Sequence, residues 1–121
     1  MPKYEVVFYA THRGEALFQT FLDSMTDKLR SKVMKLLDLL EEHGPDLKRP
    51  YADMLRDGIR EIRCRQGHNN IRAFYFFFQG KKIIITHGLI KKTDKVPPAE
   101  IDRAVSYKRD FETRYEREEI E

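Results

Sequence analysis

The chain contains no tryptophan, one cysteine, six glycines and five prolines in 121 residues. With Cys64 as its single thiol it cannot form an intramolecular disulfide, which sets aside the small secreted scaffolds and points to a reducing, cytoplasmic setting. So little glycine and proline also sets aside fibrous and linker-like chains. No apolar run approaches the roughly 20 residues that cross a bilayer. The opening Met1-Pro2-Lys3-Tyr4-Glu5-Val6-Val7 lacks the apolar stretch and small-residue cleavage site of a signal peptide. Neither a Gly-rich phosphate loop, nor a Gly-x-Ser-x-Gly elbow, nor an acidic cluster suited to two-metal catalysis is present. Cys64 and His68 have three residues between them but no second pair, so no metal site is expected. What is there is a charged globular composition, 40% hydrophobic and 36% charged. One compact domain over residues 1–121 is expected, long enough to bury a core without staples.

The net charge of +3 conceals an uneven distribution. Residues 1–58 hold nine Lys/Arg and ten Asp/Glu, residues 59–95 hold nine and two, and residues 96–121 hold five and eight. Glu61 and Asp94 are the two acids of the middle segment. A basic block of +7 inside a nearly neutral chain points to a polyanionic partner, since solvated surfaces usually interleave both signs.

The hydrophobic periods predict an α+β fold. Residues 4–9 read as a first strand, short, β-branched and aromatic. Leu17, Phe18, Phe21, Leu22 and Met25 fall at helical spacing and predict a helix over 13–24. Leu29, Val33, Leu36, Leu37 and Leu40 predict a second over 27–43, capped by Ser24 or Thr26 and stopped by Gly44-Pro45. Residues 44–58 read as a loop with at most one helical turn, near Tyr51–Leu55. Strands are predicted at 59–66, 70–79 and 82–89, the middle one central because Ala73–Phe78 is apolar on both faces. Pro97-Pro98 opens a last helix, and the acidic stretch 112–121 is expected to fray. A helical hairpin on one face of a small, largely antiparallel four-stranded sheet would leave the opposite face free.

Several residues are candidates for chemistry. Strand alternation sets Glu61, Arg63 and Arg65 on one face, opposite Ile62 and Cys64. Arg72 begins a strand of aromatic residues, so its charge must be paired or await a ligand; Glu61 on the adjacent strand is the nearest internal partner. Lys91-Lys92, with Lys95 beyond, are read as lying just past the last strand, free to swing amines toward a cleft. Arginine forks grip phosphate bidentately and lysines add point charge. Tyr51, Tyr75 and the Phe residues could offer bases a surface to stack on, although most must be core. His87, near the end of the last strand, is a candidate general acid or base, or else a half-buried histidine bonded to backbone.

Leu55–Arg63, Ile71–Tyr75, His87–Thr93 and Pro97–Ile101 together resemble the signature of RelE/ParE-superfamily toxins, most closely the HigB-like, phage-derived branch. The similarity extends over nearly the whole chain. It implies a RelE-like fold and the toxin of a type II toxin–antitoxin pair, an endoribonuclease that cuts translated mRNA on the ribosome without a cofactor. In that chemistry the substrate 2′-hydroxyl attacks the adjacent phosphate, leaving a 2′,3′-cyclic phosphate and a 5′-hydroxyl. By position, Arg72 matches the arginine that contacts the scissile phosphate, Arg63 and Arg65 match basic residues of the preceding strand, and Lys91-Lys92 match a basic pair that assists the transition state. Glu61 stands where some relatives have a lysine, and residues 96–100 lack the tyrosine that some place there. The general base is left between Glu61 and His87. The implied partners are a helix-turn-helix, HigA-like antitoxin, mRNA on the ribosome, and operator DNA only through the antitoxin. The other functions open to this fold are inhibition of a protein target such as DNA gyrase, and RNA binding without cleavage.

Overall fold

A computed structural model describes residues 3–117 of the chain. It is an α+β structure with three helices and a five-stranded mixed sheet. The strands are β1 (Glu5–Phe8), β2 (Ala52–Met54), β3 (Arg60–Gln66), β4 (Asn69–Phe78) and β5 (Lys82–Lys91), in the order β1-β5-β4-β3-β2. The helices are α1 (Leu17–Asp23), α2 (Asp27–His43) and α3 (Pro98–Glu116). None of them is long and apolar enough to cross a membrane.

The sheet departs from the expected one in two ways. It has a fifth strand, because Ala52–Met54 pairs antiparallel with Arg60–Ile62 where a loop was expected. The hairpin turns on Asp57-Gly58, whose φ values of 53° and 80° suit a two-residue β-turn that only such residues adopt easily. The sheet is also mixed, since β1 runs parallel to β5 at the opposite edge.

Both faces of the sheet are covered. On one, Phe18 and Leu22 of α1 and the leucine stripe of α2 pack on Ile62, Ile71, Ala73, Tyr75, Ile83 and Ile85. On the other, Ala104, Val105 and Phe111 of α3 pack on Ile59, Phe74, Phe76 and Ile84. The expectation of a free opposite face therefore fails: the five consecutive aromatic residues Phe74–Phe78 of β4 carry bulk to both sides, and α3 is the layer that shields the second. The tail is corrected with it. Residues 112–116 stay helical, with Phe111 and Tyr115 edge-on to Phe78 at ring separations of 5.0 and 4.8 Å. The rest of the predicted frayed tail, 118–121, lies outside the described residues.

Local signals account for the element ends. Thr26 caps α2 by accepting the Leu29 amide at 3.2 Å. α1 begins at Leu17 rather than at 13, because Thr11–Glu15 close a turn around Gly14, which has φ 87°. A bulge at Phe74/Tyr75 shifts the β4–β5 register, with Tyr75 opposite Ile85 and Phe74 opposite His87. β5 extends to Lys91, which pairs with Asn70. Lys91 is thus a strand residue, not a loop amine.

Gly44 ends α2 with φ 51°, and a β-carbon built there would sit 2.3 Å from the Tyr4 ring. Gly80 also has positive φ (76°), but open space surrounds it. Gly44→Ala is expected to destabilise the protein by about 2–4 kcal/mol, combining backbone strain with overpacking, and Gly80→Ala by about 1 kcal/mol. Urea unfolding of the two variants beside the parent chain measures the difference; equal losses would refute the role given to Tyr4.

Candidate anion-binding cleft

The end of the sheet that α3 leaves uncovered carries two polar rows. Arg63 of β3 is opposite Arg72 of β4, and Arg65 is opposite Asn70. Two guanidinium groups side by side repel, and the structure resolves this with two carboxylates. Glu61, fully buried on β3, accepts from Arg63 Nη1 at 2.7 Å through Oε2 and presents Oε1 3.6 Å from Arg72 Nε. Asp94, on the segment between β5 and α3, accepts from both arginines through Oδ1: from Arg63 Nη2 at 3.1 Å, and from Arg72 Nη2. Arg72 Nη1 donates to the carbonyl of Ile71 at 3.0 Å. The charge of Arg72 is thus paired, by Glu61 as the adjacent-strand geometry suggested and by Asp94 in addition.

The two carboxylates differ in setting. The Glu61 side chain is 3% exposed and fixed near the start of β3, between β2 and β4, whereas that of Asp94 is 70% exposed on an irregular segment. The Arg63 guanidinium, and after it Arg72, hold the Asp94 carboxyl below its ordinary range. It stays ionised through the neutral range.

These residues form part of a cleft of about 1080 Å³. It is lined by α2, the segment before β2, β3 beyond the end of β2, the start of β4 and the segment after β5. Seven of its lining residues are cations, namely Lys32, Lys35, Arg49, Arg63, Arg65, Arg72 and Lys92, and Asp94 is the acid among them. Lys32 Nζ donates to the Arg65 carbonyl at 2.5 Å and ties α2 to the open edge of β3. Arg49 is partly neutralised by Asp53 at 2.8 Å. Lys92 Nζ donates to Asn69 Oδ1 at 2.8 Å. An apolar strip of Leu36, Leu39, Pro50 and Tyr51 adjoins the cations, and Tyr51 is 47% exposed. Cys64 also lines the cleft, but burial raises its thiol above the usual range, so it stays protonated and unreactive near neutrality.

Of the residues singled out in the sequence, Arg63, Arg65, Arg72 and Lys92 meet in this cleft, with Glu61 beneath them. Lys91, Lys95 and His87 are not among its lining residues. Lys32, Lys35 and Arg49 were not anticipated. The two lysines sit three apart on the polar side of α2, a spacing indistinguishable in sequence from an ordinary solvated face. Among the described residues no group of three or more His, Cys, Asp or Glu is placed to hold a metal ion.

His87 belongs to the second core. It is 2% exposed, with its ring 4.9 Å from that of Phe74 and 5.6 Å from that of Tyr107. Nδ1 is 3.1 Å from Thr86 Oγ1, and Nε2 faces Glu100 Oε2 at 3.8 Å. Burial, reinforced by Arg103 and opposed by Glu100, lowers its pKa to about 4. The folded protein therefore holds a neutral imidazole where the unfolded chain takes up a proton near pH 6.5. Between those values the unfolded state binds more protons, so stability is full above about pH 6.5 and declines as pH falls toward 4. His87→Phe is expected to remove a share of this decline on the order of 2–3 kcal/mol between pH 7 and 4. The difference between the urea-unfolding curves of variant and parent across that range isolates this term from the carboxylates, and parallel curves would contradict it.

No curated protein matches the chain. Residues 20–109 match the family described as phage derived protein Gp49-like (DUF891). That stretch runs from α1 into α3 and takes in every residue that lines the cleft. The chain belongs to the phage-derived, Gp49-like protein family.

Proposed function

We propose that the protein is the toxin of a toxin–antitoxin pair and a metal-independent endoribonuclease that cuts translated mRNA at the ribosome. The observation that carries this reading is the cleft: seven cations and one acid around a floor on which two arginines already share an anionic oxygen. A single-stranded polyanion with unstacked bases suits it, since Lys32, Lys35, Arg65 and Lys92 can follow a backbone while Tyr51 stacks on a base. Membership of a phage-derived family agrees with the mobile genetic origin of such toxins that the sequence resemblance implies.

In this reaction the substrate 2′-hydroxyl gives up its proton to solvent and attacks the adjacent phosphorus, the bond to the 5′-oxygen breaks, that oxygen takes up a proton, and a cyclic phosphate and a 5′-hydroxyl form. Charge accumulates on the non-bridging oxygens in the transition state. Arg63 and Arg72, preorganised by Glu61, are the groups suited to meet it. Glu61 is committed to both arginines, and His87 lies behind Phe74 and Tyr107, so neither reaches a hydroxyl in the cleft as the protein stands. Arginine electrostatics, rather than a strong general base, then carry the reaction. Lys92 is the member of the Lys91-Lys92 pair that borders the cleft and the one suited to assist the leaving oxygen.

Truncating Arg72 to alanine would leave the buried Glu61 short of a partner and unsettle the fold. The informative variant is Arg72→Lys, which keeps the charge and loses the fork. Primer extension on a translated message is expected to show cleavage reduced roughly 10²–10³-fold in Arg72→Lys and unaffected by EDTA. Arg65→Ala and Lys92→Ala should each lower the slope of log affinity for single-stranded RNA against log salt by about 0.7. Normal cleavage by Arg72→Lys, or a requirement for added divalent ions, would overturn the assignment.

The partners in this reading are the ribosome-bound message and a cognate helix-turn-helix antitoxin, which alone would contact operator DNA. Met34 and Leu39 are exposed on α2, and Leu39 borders the basic cleft, so an acidic and partly apolar segment would find both chemistries together. Co-expression with the product of the adjacent gene is expected to relieve growth inhibition, with a complex recoverable at low salt that weakens as salt rises. Recovery of the free toxin beside an expressed neighbour would count against this pairing.

A further inference from the structure

The two counterions of the arginine pair are unequal, and the inequality has a mechanical meaning. Glu61 is a permanent fixture, sealed in the sheet. Asp94 sits on the six residues between β5 and α3, with most of its side chain in water, and reaches the arginines with a single oxygen. One oxygen bridging two guanidinium groups is the arrangement in which arginine pairs hold a phosphate oxygen. The charges agree as well. Two arginines and Glu61 leave one positive charge, which one Asp94 carboxylate or one phosphodiester neutralises equally.

We propose that Asp94 is an internal stand-in for a nucleic-acid phosphate, an autoinhibitory contact that substrate must displace before Arg63 and Arg72 can engage it. The inference rests on the nucleic-acid reading of the cleft and adds to it a closed resting state. A carboxylate tethered next to its site competes at high effective concentration without leaving the molecule. If the contact is closed nine-tenths of the time, the apparent affinity for substrate is weakened about tenfold. Opening swings Asp94 out while Glu61 keeps the arginines in place. Opening removes the one acid among the lining residues and leaves Lys92 on the same segment to border the phosphate.

The test uses Asp94→Asn, which is near-isosteric and abolishes the charge. Asp38→Asn serves as control, because Asp38 is an exposed acid of α2 outside the cleft lining and its loss changes net charge equally. Binding of a labelled, single-stranded 2′-deoxy oligonucleotide, which cannot be cut, is followed by anisotropy at fixed ionic strength. Asp94→Asn is expected to bind about five- to tenfold tighter than the parent, and Asp38→Asn within about twofold of it. Adding Arg63→Gln to Asp94→Asn should erase the gain, and thermal melts of each variant verify that all remain folded. An Asp94→Asn affinity no better than that of Asp38→Asn, or a gain that survives Arg63→Gln, overturns the proposal. Primer extension judges the nuclease reading separately: a parent chain that cuts nothing while Asp94→Asn still gains affinity would remove that reading and leave this one standing.

Discussion

Two arginines facing each other across neighbouring strands are tolerable only if a carboxylate lies between them, and Glu61 supplies it from within the sheet. Burying three charges is costly, and a well-packed apolar trio of similar volume would often be as stable or more so. The arrangement makes sense as a means of holding guanidinium groups rigid at a surface that needs them. With Glu61 on one side, Arg63 and Arg72 each turn Nη2 toward Asp94, while the Ile71 carbonyl holds Nη1 of Arg72. Rigid placement of that kind is what the proposed reaction would draw on, a phosphate met without reorganisation.

The rest of the architecture can be understood as support for that corner. α2 buttresses the sheet from beneath and contributes Lys32 and Lys35 to the wall. The short β2 pairs only with the first residues of β3, leaving the edge beyond Ile62 open, and the cleft forms there. α3 stops short of the arginine row, and the segment leading into it carries Asp94. Coverage of both faces elsewhere concentrates the accessible charge at one end of the sheet.

Long periodic stretches were readable from sequence. The leucine stripe of α2, the doubly apolar β4 and the proline start of α3 each repeat a local signal over several residues, and each element formed within a few residues of expectation. What escaped were features decided by one or two residues or by distant pairing. Asp57-Gly58 is a strong turn dipeptide, but its hairpin has only three residues on one side, too few for alternation to register. The parallel pairing of β1 has no local signature at all. For the site, the arginines and Glu61 were legible because strand alternation sets them on a common face. His87 was not: residue type suggests acid–base chemistry, and only the tertiary packing of Phe74 and Tyr107 shows that its ring is enclosed. Asp94 lies in an irregular segment where sequence carries no information about reach.

The parallel pairing of β1 with β5 joins residues at Glu5 to partners at Lys82, almost as far apart as the sheet allows. Contacts so remote in sequence form late, because a long loop must close before they repay its entropy. During synthesis β1 therefore waits without a strand partner until β5 has been made. The arginine row waits for β4, and Asp94 for a segment later still. A growing chain thus has no arginine row until β4 has paired with β3, and the carboxylate that bridges the two guanidinium groups arrives later still.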